Sequence, residues 1–298
     1  MDGVFNVLKP PDMTSHDVVA FLRRALQTKK IGHGGTLDPD AAGVLPVFAG
    51  SATRLLEFAV EGQKEYLVEI TLGKRTATGD DSGEVLEELP VPQLTQEKIL
   101  QVLQGFLGPQ LQIPPMYSAL KVEGKKLYEL ARKGIEVERE ARPIEIYKLE
   151  LKHFCQSEAR TTLTLVVQCS KGTYIRVLGE DIAKALGTCG TMSFLLRTQV
   201  GQYFINEAHT LQEIAENPEA CKGELLGAVA HLPKVKLTGR QAARITNGVK
   251  TTLRGIVPGR YVLMGPAEEF LGIGICEEER MKADKILQHY EMPENENI

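Results

Sequence analysis

The sequence lacks most of the signals that identify common classes of protein. Its five cysteines are widely spaced without a C-x-x-C pair, and no two histidines have the spacing of metal ligands. Neither a zinc site nor a disulfide framework is therefore expected. No long apolar run and no signal-peptide pattern are present, which predicts a cytoplasmic protein. The motifs of P-loop nucleotide-binding proteins, serine hydrolases and zinc proteases are also missing.

Charge is unevenly distributed along the chain. The net charge of −4 argues weakly against a nucleic-acid partner, but an average conceals local fields. Between Lys234 and Arg260 there are seven basic residues and no acidic one, and residues 121–134 are also rich in lysine and arginine. Both stretches favour contact with phosphates over a merely solvated face. The last residues, EMPENENI, are acidic and are expected to form a frayed tail.

Hydrophobic periodicity predicts a mixture of helices and strands. Helical patterns occur in TSHDVVAFLRRALQ, TQEKILQVLQGFLG, VLGEDIAKALG and GRQAARITNG, and strand patterns occur in KEYLVEITLG, TTLTLVVQ, YVLMG and EFLGIGIC. Strands and helices do not alternate regularly, so the fold class is α+β. A seam near Pro233 separates a small, mostly β region from the rest of the chain.

One loop has the composition expected of a site. The stretch GHGGTLDPDAAGVLP surrounds Asp38 with glycines, of which Gly32, Gly34 and Gly35 allow the backbone to bend, while Pro39 stiffens the exit. Taken alone, Asp-Pro commonly begins a plain turn. The functional alternative is a carboxylate nucleophile or base, which needs a partner that keeps it ionised while it is partly buried.

The same stretch resembles the catalytic motif of the TruB-type tRNA pseudouridine synthases, which isomerise uridine 55 in the T loop. Four further segments resemble motifs of that family, in the family's order. They are a Lys-Pro motif (FNVLKPPDMTSHDVV), a tyrosine strand (KEYLVEITLGKRTATGDDSGEV), an RNA-gripping insertion (QIPPMYSALKVEGKKLYELARKGIEVEREARPI) and an arginine motif (SKGTYIRVLGEDIAKALG). The resemblance covers residues 3 to 235, and the C-terminal region resembles a PUA-type RNA-binding domain.

The resemblance implies roles for individual residues. Asp38 would be the nucleophile or base, Arg176 its ion-pair partner, and Tyr66 the ring that stacks on a flipped-out base. Tyr174 and Leu196 would line the uracil pocket. His33 would hold the T loop or fill the space that the base leaves. The segment LGTCG carries an extra residue relative to the family, so the choice between Leu195 and Leu196 is open. Without the resemblance, Tyr66 would be a core aromatic and Arg176 a surface charge.

The resemblance also implies an architecture and a partner. A pseudouridine synthase fold with a mixed, mostly antiparallel sheet would occupy residues 1–233, with the insertion at about 112–143, and a PUA-like domain with the acidic tail would occupy residues 234–298. The substrate would be the T-arm stem-loop of tRNA, bound by a monomer that needs no cofactor and no metal, because the reaction is an isomerisation. The candidates for RNA contact are Lys121, Lys125, Lys126, Arg132, Lys234, Lys236, Arg240 and Arg244.

Three alternatives remain open at this level. A guide-RNA-directed pseudouridine synthase would use the same chemistry within a protein–RNA particle. A non-catalytic RNA chaperone would bind tRNA without needing Asp38. A glycosidase would need a second carboxylate across the scissile bond, and Asp40 is too close to Asp38 along the chain to be a good candidate.

Overall fold

The computed structural model describes residues 1–59, 62–118, 120–122, 124–131 and 133–292, with only the backbone described at Lys121 and Lys126. Within these residues the first part of the chain contains fourteen strands. They are β1 (Gly3–Lys9), β2 (Ile31–His33), β3 (Ala42–Ala49), β4 (Lys64–Leu72), β5 (Lys74–Thr76), β6 (Val85–Glu88), β7 (Gly108–Gln112), β8 (Lys121–Val122), β9 (Lys125–Lys126), β10 (Arg142–Gln156), β11 (Thr161–Cys169), β12 (Gly190–Val200), β13 (Tyr203–Phe204) and β14 (Lys222–Gly223).

Ten of these strands form one large sheet in the order β14-β1-β3-β12-β4-β11-β10-β7, with β2 paired to β3 and β13 paired to β12. β3 and β12 run parallel, with Leu196 opposite Ala42 and Arg197 opposite Gly43, whereas the other strand pairs of the sheet are antiparallel. The predicted mixed, mostly antiparallel sheet is thus confirmed. β5–β6 and β8–β9 are separate two-stranded hairpins.

Seven α-helices accompany the strands in the described residues. They are α1 (Ser15–Ala25), α2 (Leu56–Ala59), α3 (Gln96–Gln104), α4 (Leu127–Ala131), α5 (Ile175–Ala185), α6 (Leu211–Glu216) and α7 (Gly239–Thr246), with short 3₁₀ helices at Gly50–Leu55, Ile205–Glu207 and Gly227–Val229. None of the helices in the described part of the chain combines the length and the apolarity that crossing a membrane requires.

Two apolar clusters join the helices to the large sheet. Leu178 and Ile182 of α5 and Ile99 of α3 pack with Val68 and Leu165 of the central strands. Val18 and Leu22 of α1 pack with Phe5 and Val47 at the other end of the sheet. The parallel pair β3–β12 separates these two regions in the strand order, and the loop that carries Asp38 ends where β3 begins.

A second sheet is built from residues 234–286. Its strands are β15 (Lys234–Lys236), β16 (Thr251–Thr252), β17 (Gly259–Met264), β18 (Phe270–Glu277) and β19 (Arg280–Ile286), in the order β15-β17-β18-β19-β16. One face packs with α7 around Leu237, Ile245 and Leu263. Val262 and Ile273 pack instead with Phe58 of α2. The C-terminal region is therefore β-rich, as the sequence predicts, and it shares an apolar contact with the first part of the chain.

Local sequence signals account for most of the helix boundaries. α1 begins after Thr14, whose side chain and that of Asp17 form the predicted capping box. α5 begins at Ile175, two residues before the predicted stretch VLGEDIAKALG, which starts at Val177. It ends at Ala185, and the predicted Gly187 follows the C-cap with a φ of +86°. The acidic tail cannot be compared with its prediction over residues 293–298, because they lie outside the described residues.

Candidate active site

Asp38 lies on the loop of residues 34–41 between β2 and β3. Backbone hydrogen bonds hold the loop in place. The N–H of Gly34 donates to the carbonyl of Pro46 on β3 at 2.7 Å, and the N–H of Ala41 donates to the carbonyl of Asp38 at 3.2 Å. Gly35 has a φ of +89°, which side chains rarely adopt. The loop is therefore an ordered structure with a defined backbone conformation.

Glycine is required most strictly just after the loop, at Gly43. Its φ is +114°, and a Cβ there would lie 2.2 Å from the carbonyl oxygen of Arg197, so β3 can pass β12 only with glycine at this position. Gly32 and Gly34, to which the sequence analysis assigned the bending, have no positive φ. The prediction that the loop depends on glycine therefore holds for Gly35, whereas it missed Gly43 and does not hold for Gly32 and Gly34.

The Asp38 carboxylate is paired with the guanidinium of Arg176, in the first turn of α5. Arg176 Nε lies 3.1 Å from Oδ2, and Arg176 Nη2 donates to Oδ1 at 3.3 Å. This two-point contact is the ion pair that the sequence predicts, and it fixes direction as well as charge. The side chain of Asp38 is 36% exposed and that of Arg176 only 7%, so the carboxylate is the partner that an incoming molecule can reach.

Burial determines the titration of Asp38. Loss of water raises the pKa of the carboxyl above its ordinary value, and the positive charge of Arg176 opposes that rise without cancelling it. Arg176 thus favours the ionised form, as expected of the ion-pair partner predicted for Asp38, while burial sets the direction of the net shift in pKa.

Arg176 is itself held from three directions. Its Nη1 donates to the carbonyl of Thr78 at 2.7 Å, and its Nη2 donates to the carbonyl of Tyr117 at 2.8 Å. Asp80 Oδ2 lies 3.7 Å from Nη1. Asp80 is oriented in turn by the hydroxyl of Thr78, which donates to Oδ1 at 2.6 Å. These contacts leave the guanidinium little freedom to turn away from Asp38.

Lys9 supports the other side of the loop. Its side chain is fully buried, and its ammonium donates to the carbonyls of Pro10, Pro39 and Ala41 at 2.8, 2.9 and 2.6 Å. Burial lowers the pKa of Lys9 to about 8, so the group remains mainly protonated at neutral pH. Lys9 belongs to the Lys-Pro motif, but its role in positioning Asp38 was not predicted from the sequence.

A buried arginine completes the support of the loop. Arg197 on β12 is fully buried, and it donates to the carbonyls of Gly35, Thr36 and Val44 at 3.0, 3.2 and 2.8 Å. Buried cations are rare unless they are hydrogen-bonded, and these carbonyls meet that requirement. The signal that could have identified Arg197 from the sequence is an arginine in the middle of an apolar strand.

Asp38 and Arg176 line a cavity of about 290 Å³. Its walls also include Tyr66 of β4, Tyr174 before α5 and Leu195 of β12. This volume is at the lower end of the range for small-molecule sites and suits a single nucleoside rather than a helix. Tyr66 is 6% exposed, and burial raises the pKa of its phenol to about 12, so it remains neutral in the physiological range.

The structure decides between Leu195 and Leu196. Leu195 is opposite Val68 in the β4–β12 pair, is 7% exposed and lines the cavity. Leu196 is opposite Leu67, which points to the other face of the sheet, because successive residues of a strand alternate. The choice of Leu196 for the pocket was therefore wrong by one residue, and Leu195 takes its place.

His33 ends β2 and is half-buried, but it does not line the cavity. Burial and the nearby charge of Arg197 lower the pKa of its imidazole, so at neutral pH it is uncharged. Its predicted contact with the T loop remains a prediction, and the neutral ring favours packing over phosphate binding.

The insertion forms one wall of the site. Gln112 accepts a hydrogen bond from the N–H of Tyr174 at 2.8 Å and donates one to the carbonyl of Tyr174 at 3.1 Å. Further along, Ser118 and Leu120 line the cavity. Of the basic candidates in this segment, Lys125 is exposed and Arg132 lies outside the described residues. The backbones of Lys121 and Lys126 are paired in the β8–β9 hairpin.

The basic candidates of the second sheet are all exposed. Lys234 and Lys236 lie on β15, where Lys236 Nζ is 3.2 Å from Glu268 Oε1. Arg240 and Arg244 lie one turn apart on α7. None of these four lines the Asp38 cavity. These four exposed cations are therefore separate from the cavity.

The cavity places a tyrosine and a leucine beside an arginine-paired aspartate, so it offers an apolar surface for a ring next to a carboxylate that can react. Two family models match the chain: TruB family pseudouridylate synthase (N terminal domain) over residues 23–175, and tRNA pseudouridylate synthase B C-terminal domain over residues 176–229. The chain therefore belongs to the TruB family of pseudouridylate synthases, which are isomerases.

Individual relatives agree with this assignment. The chain is 46% identical to a tRNA pseudouridine synthase B from Caldanaerobacter subterraneus subsp. tengcongensis, covering 96% of this chain and 99% of that protein. It is 49% identical to one from Symbiobacterium thermophilum, covering 85% of this chain and 84% of that protein. Among solved structures, a chain of a Cbf5-Nop10-Gar1 complex matches with a TM-score of 0.72 and 28% identity, covering 98% of this chain and 86% of that chain.

Proposed function

We propose that this protein converts uridine 55 in the T loop of tRNA to pseudouridine, with Asp38 as the reacting carboxylate. The observation that carries the proposal is the partly exposed Asp38, paired at two points with buried Arg176, on the wall of a cavity that also includes Tyr66 and Leu195. The names of the relatives support tRNA as the substrate, and the T loop is implied by the resemblance of the motifs around these residues.

The reaction breaks the bond between C1′ of the ribose and N1 of uracil, turns the base and joins C5 to C1′. Substrate and product are isomers, and the proton lost from C5 balances the one gained at N1. The site supplies a carboxylate for these reaction steps, since Asp38 is partly exposed and Arg176 favours its ionised form. Burial raises the pKa of Tyr66 to about 12, so its phenol is protonated at neutral pH, and we assign the ring to stacking on the uracil.

A stacked uridine cannot reach Asp38, so the nucleotide must be extruded, at a cost of a few kcal/mol. The ring of Tyr66 and the apolar side chain of Leu195 offset this cost by contact with the flipped base. The Gln112–Tyr174 hydrogen bonds fix the insertion against α5, so the cavity keeps a wall on that side. We further propose that the C-terminal sheet of residues 234–286 is a PUA-like RNA-binding domain, because its exposed cations stand in a stretch without acidic residues.

A guide-RNA-directed activity is the second candidate, since one solved neighbour is described as an H/ACA RNP bound to a substrate RNA containing 2′-deoxyuridine. That neighbour is 26% identical, whereas the relatives named tRNA pseudouridine synthase B reach 46% and 49%. The higher identity favours tRNA as the substrate, and we propose that the protein acts on it without a guide RNA and as a monomer.

The test is purified protein with an unmodified tRNA transcript and with a T-arm stem-loop, without any other RNA. We expect pseudouridine at position 55 in both substrates, and no free uracil. Asp38→Asn should bind the RNA and produce no pseudouridine. Asp40→Asn, in the same loop but exposed, is the matched control and should remain active. Activity only after addition of a guide RNA, release of free uracil, or turnover by Asp38→Asn would each contradict the proposal.

A further inference from the structure

Lys64 is a cation of the cavity that the proposed chemistry does not use. It begins β4, two residues before Tyr66, so both side chains point to the same face of the strand. Its side chain is half-buried and lines the same cavity as Asp38. Its Nζ lies 3.5 Å from the point that a Cβ on Gly35 would occupy, and Arg197 Nη1 lies 3.6 Å from that point. The ammonium therefore stands beside the start of the catalytic loop.

The surroundings of Lys64 do not balance its charge. Within the described residues no carboxylate forms an ion pair with it. The charged side chains that act on it most strongly are Arg197 and Lys171, which have the same sign as Lys64. The nearby Cys169 thiol offers no negative charge, because burial raises its pKa to about 11 and it is neutral. Burial and these cations lower the pKa of Lys64 to about 8, so it is still mainly charged at neutral pH.

Comparison with Lys9 shows why a purely structural role does not explain Lys64. Both lysines are desolvated and have a pKa near 8, but Lys9 donates to three backbone carbonyls. The described residues give Lys64 no equivalent set of acceptors. A desolvated cation without a partner is costly, and such a group is usually completed by a ligand.

The ligand must be an anion that the substrate carries near its flipped base. Uracil is neutral before the reaction, so the anion available in RNA is the phosphodiester. Lys64 and Tyr66 are about 6.6–6.8 Å apart along the strand, which is comparable to the span between a base and a phosphate of its own nucleotide. A uridine whose base stacks on Tyr66 can therefore present a flanking phosphate to Lys64.

Resting on the proposed function, we propose that Lys64 binds a phosphate that flanks the flipped-out uridine, and so holds the ribose in register with Asp38. Lys64 is a substrate-binding and positioning residue in this account, and it takes no part in breaking or forming bonds. The alternative, in which Lys64 stabilises the uracil anion after the glycosidic bond breaks, predicts a different pattern of defects.

The experiment measures equilibrium binding of a T-arm stem-loop over a series of salt concentrations. Asp38→Asn serves as the background, so that the substrate is not consumed. Adding Lys64→Met should weaken binding about tenfold and reduce the slope of log K against log salt by about 0.7–0.9, the value for one phosphate contact. Lys64→Arg should keep the slope. Lys98→Met, on the exposed side of α3, is the matched control and should change neither quantity.

A second arm places a neutral methylphosphonate at each phosphate flanking the target. At one of these positions the neutral linkage should weaken binding as much as Lys64→Met does, and should add nothing when Lys64→Met is already present. The measurement in Asp38→Asn alone does not depend on the folding of Lys64→Met, so neutral linkages that leave Asp38→Asn binding unchanged at both positions would overturn the proposal. A Lys64→Met protein with unchanged affinity and slope but slow single-turnover isomerisation would overturn it in favour of the uracil anion.

Failure of the proposed function is separately visible. Protein with Asp38 intact that makes no pseudouridine in stem-loop or tRNA would refute the function, whatever the salt slopes are. If the protein is active but Lys64→Met leaves the salt slope of RNA binding unchanged, only the phosphate contact is refuted.

Discussion

Replacement of Arg176 by alanine and by lysine separates the two effects of this residue on Asp38. Arg176 lowers the pKa of Asp38 against the effect of burial, and it fixes the direction of the carboxylate through two contacts of 3.1 and 3.3 Å. Alanine removes both effects. Lysine keeps the charge but lacks the planar fork that makes a two-point contact.

The exposure of the pair limits the size of the effect. The positive charge of Arg176 favours the ionised form of Asp38 and lowers its pKa, so removal of the guanidinium should raise that pKa further. Because 36% of the Asp38 side chain is exposed, solvent screens part of the interaction, and the rise should be smaller than for a fully buried pair. The ionised form is the reactive one, so activity rises as pH rises through this pKa. The acidic limb of the profile should therefore move to higher pH in Arg176→Ala and stay near its wild-type position in Arg176→Lys.

Loss of orientation should lower the rate in both variants. A misplacement of about 1 Å at a reacting group can cost about 100-fold in rate, so on the pH plateau we expect a loss of that order in Arg176→Ala and a smaller loss in Arg176→Lys. Removing the guanidinium also frees the carbonyls of Thr78 and Tyr117, so the insertion should become less firmly attached to α5.

The assay is single-turnover pseudouridine formation as a function of pH, with thermal melts to confirm folding. Arg160→Ala is the matched control, because Arg160 pairs with Glu69 at 2.8 Å on an exposed part of the same sheet. It should leave the profile unchanged. A folded Arg176→Ala protein with the wild-type rate and the wild-type acidic limb would show that the pair observed here does not govern Asp38.

Three other experiments test the supports of the site and the exposed arginines of α7. Lys9→Met should lower the Tm and slow isomerisation, because it leaves the buried carbonyl of Ala41 without its donor at a cost of about 1–3 kcal/mol; an unchanged melt would contradict this. Gly43→Ala should destabilise the protein by more than about 2 kcal/mol in denaturant unfolding, since its Cβ would meet the Arg197 carbonyl. Gly227→Ala, which meets nothing within 4 Å, is the control. Arg240→Ala with Arg244→Ala should reduce the salt slope of tRNA binding by about 1.8 and spare the single-turnover rate; a full slope would remove α7 from the RNA interface.

Truncation after the first sheet would be a poor test of the C-terminal region, although the basic run invites it. Val262 and Ile273 of the second sheet cover Phe58, so deletion would expose an apolar surface in the part that remains. A loss of RNA binding would then be inseparable from a loss of stability. Point substitutions on the exposed face of α7 avoid this difficulty.

Elements with local signals could be predicted from the sequence, and elements without them could not. The Thr14 capping box and the alternation of Tyr66, Val68 and Ile70 identified α1 and β4. β3, in contrast, was read as the end of a glycine loop, because its apolar run is interrupted by Gly43 and Pro46. Its identity as a strand comes from pairing with β1 and β12, which are distant in sequence. Nonlocal pairing of this kind leaves no periodic pattern in a short segment.

The same distinction applies to the site. Asp38 and Arg176 could be paired because each belongs to a recognisable motif, but the choice between Leu195 and Leu196 depended on a register shift. β12 carries irregular pairings between Met192 and Phe194 and between Arg197 and Gln199. A shift of one residue moves a side chain to the opposite face of a sheet, and an insertion upstream does not reveal where such a shift occurs.

The cations around Asp38 follow a physical order that residue type alone does not show. Lys9 donates to two carbonyls of the loop and to that of Pro10, and Arg197 donates to three carbonyls of the loop and of β3, so both cations hold the backbone in place. Arg176 divides its donors between the carboxylate and two carbonyls, so it both positions and ionises Asp38. Lys64 has no such set of acceptors among the described residues. Four basic side chains thus serve the loop, the carboxylate and, in our proposal, the RNA backbone, and what distinguishes their functions is the acceptor that each one has found or still lacks.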